Sequence, residues 1–76
     1  KGIAYYYIGV TDEGNILGIE NTEIDYHINI MKKTAKEVDS ELTKIDILPV
    51  KNKDTKLLVI QIKANFDLDS IFLITD

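Results

Sequence analysis

Apolar residues in this chain recur with two periods, and the order of the periods sets the expected elements. Ile3 to Val10 is β-branched and aromatic, the composition of a strand. Period-two alternation puts Ala4, Tyr6, Ile8 and Val10 on one face and Tyr5, Tyr7 and Gly9 on the other. Thr11 to Asn15 is a turn, with Gly14 and Asn15 suited to positive φ, and Ile16 to Ile19 is predicted to return as a second strand. Ile24, Ile28, Met31, Ala35 and Val38 then recur at steps of 4, 3, 4 and 3, one stripe of an amphipathic helix that closes near Asp39–Ser40. Thr22 and Asp25 form a capping-box-like pair at its start. Lys32, Lys33 and Lys36 sit in its later turns, where the helix dipole favours cations.

Alternation resumes from Thr43 to Leu48, with Ile45 and Ile47 inward and Lys44 and Asp46 outward. Pro49 has no N–H for a ladder and is expected to end that strand. Lys51 to Thr55 is a polar turn, and Lys56 to Lys63 a further strand with Leu58, Ile60 and Ile62 inward. Asn65 to Ser70 reads as a connector, and Ile71 to Ile74 as a strand apolar on both faces. The expected fold is α+β: a four-stranded, mainly antiparallel sheet with one helix on one face (β-β-α-β-β), plus a final strand. A chain of 76 residues holds one such domain. It opens and closes inside strand-like patterns, which is the expectation for a piece of a longer protein.

Composition narrows the chemistry. The 45% hydrophobic content excludes wholesale disorder. Cys is absent and His27 is the lone His, which removes disulfides, thiolate sites and imidazole cages. Nine cations against 13 acids leave a net charge of −4, and every cation is Lys. Without Arg, the bidentate contacts to phosphate and guanine are missing. The longest apolar runs, such as Leu57 to Ile60, fall far short of the ~18 residues of a membrane span.

Gly9-Val-Thr-Asp-Glu-Gly14 has the glycine spacing of a phosphate loop, but Asn15 and Ile16 replace its Lys and its Mg²⁺-binding hydroxyl. Asn52-Lys53-Asp54 resembles a guanine-reading loop shortened by one residue. Asp12, Glu13 and Glu20 lack the register of a calcium loop. His27 has no nucleophile beside it in the pattern, and it borders the helix stripe as a packing side chain. No catalytic, cofactor-binding or metal residue is expected. Two apolar pairs stand apart from the inward pattern. Tyr5 and Tyr7 project from the far sheet face, and Tyr26 and Ile30 form an i, i+4 pair on the outer side of the helix. These four residues are the candidate docking surface.

The order Ala4-x-Tyr6-x-Ile8-Gly9-Val10-x-Asp12-x-Gly14-x-x-x-Gly18-Ile19, followed by Glu20, Glu23, Ile24, Ile28, Met31, Ala35 and Glu37, resembles a known pattern. It is similar to the N-terminal domain of elongation-factor-like translational GTPases, the group of GTP-binding proteins one and two. Ile19, Ile24 and Ile28 stand where that family usually has Leu or Met, and Thr34 interrupts the run before Ala35. The resemblance implies a non-catalytic, cytoplasmic accessory domain over residues 1–70, with residues 71–76 as the first strand of a following GTPase domain. GTP and Mg²⁺ would then be held by residues outside this sequence. The implied partner is that GTPase domain or a translation-related protein. The −4 charge without Arg argues against nucleic acid, and the short apolar runs argue against a membrane. Self-association is expected through the edge of the last strand. A Schlafen-type, AlbA-like nucleic-acid-binding domain shares the hairpin phrase. The usual rise in basic and Gly content is lacking here, which places it second.

Overall fold

The computed structural model describes residues 2–65. Strand β1 spans Ile3–Ile8, a 3-10 turn Asn21–Glu23, helix α1 Ile24–Glu37, strand β2 Ser40–Pro49 and strand β3 Lys56–Ala64. The three strands form one sheet in the order β1-β3-β2, with both pairings antiparallel. Strands β1 and β2 therefore run parallel, joined through α1, and β3 inserts between them as a split β-α-β unit. The α+β architecture with a small sheet and one helix is the one the hydrophobic pattern predicts.

One strand expected within these residues does not form. Residues 16–19 make isolated bridges, Val10 to Ile16 and Ile19 to Lys56, in place of a paired strand. The reason is local. Both the Leu17 and Gly18 amides donate to the Gly9 carbonyl, at 2.9 and 2.8 Å, which folds the segment back on itself before a ladder can extend. Among the described residues the sheet thus has three strands where four were expected. The predicted strand at Ile71 to Ile74, its edge and the 71–76 domain boundary lie outside the described residues.

The core is where the period-two and 3.6-residue patterns meet. Leu58 and Ile60 of the central strand are fully buried, with Ile62 and Ala35 close behind. Ile8, Ile19, Ile24, Ile28, Met31, Leu42 and Ile45 pack around them half-buried. Each fully buried Leu or Ile contributes roughly 1.5–3 kcal/mol over an exposed one. Leu42 and Ile45 are three residues apart and would face opposite sides of a regular strand. The ladder slips between Leu42 and Lys44, and this bulge at Thr43 lets both reach the helix side, opposite Ile62 and Ile60.

Helix boundaries depart from the pattern at both ends. No side chain caps the start, and Thr22 lies inside the 3-10 turn. The helix stops at Glu37 because Asp39 takes φ +51, the left-handed C-terminal position. Val38 consequently leaves the stripe and is exposed. Pro49 is the last residue of β2, as its missing N–H requires.

Candidate docking surfaces

Helix α1 packs over β2 and the buried residues of β3, and it leaves the β1 side of its own sheet face open. Tyr6, on the same face as Ile60, is 46% exposed, so it stays outside the core that the alternation assigned to it. The opposite sheet face has no covering element among the described residues. Alternation places Ile3, Tyr5 and Tyr7 of β1, Leu57, Val59, Gln61 and Lys63 of β3, and Lys44, Asp46 and Leu48 of β2 on it.

Tyr5 and Tyr7 are 57% and 60% exposed, and Tyr26 and Ile30 are 63% and 42% exposed. The structure does not bring the two pairs together. The sheet pair lies on the face away from the helix, and the helix pair lies on the side of α1 away from the sheet. The expected docking surface is two patches on opposite sides of a two-layer domain.

A polar relay orients the sheet patch. Gln61 Nε2 donates to Tyr5 Oη at 2.8 Å, and the Thr43 hydroxyl donates to Gln61 Oε1 at 3.1 Å. This chain crosses all three strands and ties the Tyr5 hydroxyl to Gln61, while Tyr5 keeps its own O–H to donate. Charge on the face is balanced. Lys44 Nζ lies 3.8 Å from Asp46 Oδ2, an exposed pair worth little energetically, and Lys63 stands opposite Glu41. No protein family, curated relative or solved structure matches this chain.

On the helix side, the Tyr26 ring meets His27 edge-on, with centroids 5.6 Å apart and planes at 78°. His27 is half-buried beside the stripe, as a border residue.

The glycine loop is internally closed. Thr11 N–H donates to the Asn15 carbonyl and Gly14 N–H to the Thr11 carbonyl, both at 2.9 Å. Asn15 N–H donates to Thr11 Oγ1 at 3.1 Å. These are amides that a phosphate loop would turn toward its ligand. In the 51–55 turn, Asn52 takes φ +64 and Lys53 N–H closes on the Val50 carbonyl. Among the described residues no three His, Cys, Asp or Glu side chains group as a metal site, and no helix is long and apolar enough to cross a membrane.

One apolar feature escaped the sequence pattern. Ile16, Leu48, Pro49, Val50 and Leu57 line a groove of about 340 Å³ at the turn end of the β2–β3 hairpin, with Lys51 at its rim. Its walls come from three separate segments. The only hint was Leu48 and Leu57, apolar at positions where alternation calls for polar residues.

Proposed function

We propose that this chain is a non-catalytic accessory domain that docks through its open sheet face on the GTPase domain of an elongation-factor-like translational GTPase. One observation carries the docking role: Tyr5 and Tyr7 stand exposed beside Val59 on an uncovered face, with Tyr5 held by Gln61. An ordered aromatic loses little side-chain freedom on binding, which suits an interface. The choice of partner rests on the resemblance in the Gly9–Gly18 phrase and the helix stripe. GTP and Mg²⁺ belong, in this reading, to residues outside the sequence.

The test has two parts. The parent gene should encode Gly-x4-Gly-Lys-Ser/Thr soon after Asp76, and in the parent protein Tyr5→Ala with Tyr7→Ala should weaken docking of residues 1–70 on the remainder. Calorimetric titration of this chain alone with GTP and Mg²⁺ should show no binding tighter than ~10 μM, which corresponds to about −7 kcal/mol. A parent without that loop, or nucleotide binding by these residues themselves, would overturn the proposal.

A further inference from the structure

The two edges of the sheet are built differently. Edge strand β2 carries a bulge at Thr43, charges at Glu41, Lys44 and Asp46, and a terminal Pro49. All of these obstruct pairing with another strand. Edge strand β1 has none of them. Its six residues, Ile-Ala-Tyr-Tyr-Tyr-Ile, are uncharged and unbulged, and Ile3, Tyr5, Tyr6 and Tyr7 are exposed. The Ala64 amide donates to the Gly2 carbonyl at 2.7 Å. In an antiparallel ladder this sets the parity: even-numbered residues of β1 bond toward β3, and the N–H and C=O groups of Ile3, Tyr5 and Tyr7 point outward. Among the described residues nothing pairs with this edge, and it ends at Gly9, because that carbonyl already accepts from Leu17 and Gly18.

We propose that β1 pairs with β1 of a second copy of this chain, antiparallel about a two-fold axis at Tyr5, and joins the two sheets into one. A strand whose outward groups are Ile3, Tyr5 and Tyr7 is self-complementary in this register. Tyr5 faces the second copy's Tyr5, and Ile3 faces its Tyr7 at both ends. All outward groups are used, in about six backbone hydrogen bonds. Registers centred on Ala4 or Tyr6 leave one of the three residues unmatched within the strand. The Tyr5-centred register also sets Ala4 opposite the second copy's Tyr6 on the helix side, where α1 leaves room for the ring. The absence of charge along the strand allows two chains of net charge −4 to approach there. Copies paired this way meet as an isologous contact, the form that closes at a dimer.

Sedimentation equilibrium and hydrogen exchange on the 76-residue chain test this. A strand-to-strand contact is a small interface, so the dimer should dissociate with a Kd between roughly 10 μM and 1 mM. The amides of Ile3, Tyr5 and Tyr7 should gain at least ~tenfold protection as concentration crosses that range, because protection follows the paired population. Tyr5→Lys sets like charges face to face and should weaken the dimer at least ~tenfold. Tyr5→Pro removes the outward N–H, leaves the β3 ladder intact and should act in the same direction. Asn29→Lys, at an exposed position of α1, should dimerise as the unaltered chain does. A monomer throughout that range, dimerisation indifferent to both Tyr5 variants, or protection of these amides that ignores concentration would overturn the proposal. The last result would mean that another segment of the same chain fills the edge.

Discussion

At residue scale, the glycines of the 9–18 loop are not equivalent. Gly9 takes φ +114, and a Cβ placed there would lie 2.8 Å from the Gly18 Cα, a backbone atom that cannot step aside. Gly18 takes φ +75 and faces the Thr55 side chain, whose hydroxyl donates to the Leu17 carbonyl. Gly14 takes φ +90, and a methyl group there would meet nothing within 4 Å. Gly9→Ala should therefore cost about 2–5 kcal/mol, conformational strain plus overpacking. Gly14→Ala should cost only the strain, roughly 1–2 kcal/mol. Urea denaturation of both variants checks the difference. Equal losses would mean that the Gly9–Gly18 approach does not hold the loop.

At the scale of elements, the helix stripe and β3 divide the core unequally. Ile60 is fully buried at the centre of the sheet, between Tyr6 and Ile45 in register. Met31 packs on the same cluster but is half-buried. Ile60→Ala should cost about 2–5 kcal/mol through lost burial and a cavity. Met31→Ala should cost less, roughly 1–3 kcal/mol, since part of its surface never left water. Ile30→Ala, on the outer side of α1, should cost under ~1 kcal/mol. The ranking is read from denaturation midpoints with unchanged slopes. If Ile30→Ala costs as much as Met31→Ala, the helix packs by a different face.

At the scale of the whole molecule, the two aromatic patches and the β1 edge, unpaired among the described residues, belong to one asymmetry: within those residues α1 covers the β2–β3 side and little else. The open face resembles a stacking platform in having Tyr5 and Tyr7 two residues apart on one strand, with Lys44 and Lys63 nearby. Glu41 and Asp46 stand on the same face and cancel those cations. Counterion release, the main drive for binding nucleic acid, is therefore small. Fluorescence anisotropy with single-stranded RNA at physiological salt should stay flat into the low-micromolar range. A saturable rise that vanishes in Tyr5→Ala and Tyr7→Ala would favour the nucleic-acid-binding reading over docking on a GTPase domain.

Local pattern was sufficient for most of the elements. Alternation places Ile45, Leu58, Ile60 and Ile62 inward, and the step of 3 and 4 places Ile24, Ile28, Met31 and Ala35 against them, because side-chain direction follows from backbone period alone. Pro49 ends its strand for an equally local reason, a missing N–H. The exposure of Tyr5, Tyr7, Tyr26 and Ile30 was legible in the same way, as apolar residues off the inward faces. Tertiary structure decided the rest. Residues 16–19 have the composition of a strand, but bonds across the loop to Gly9 take the groups a ladder would need. Leu42 joins the core only through a bulge that pairing with β3 creates. Tyr6 has an inward position and an exposed ring, because among the described residues α1 packs over β2 and β3 and leaves the β1 side open. Strand order, and with it the position of β1 at an edge among the described strands, depends on β3 entering between two strands distant in sequence, a choice made by long-range packing and invisible to any local period.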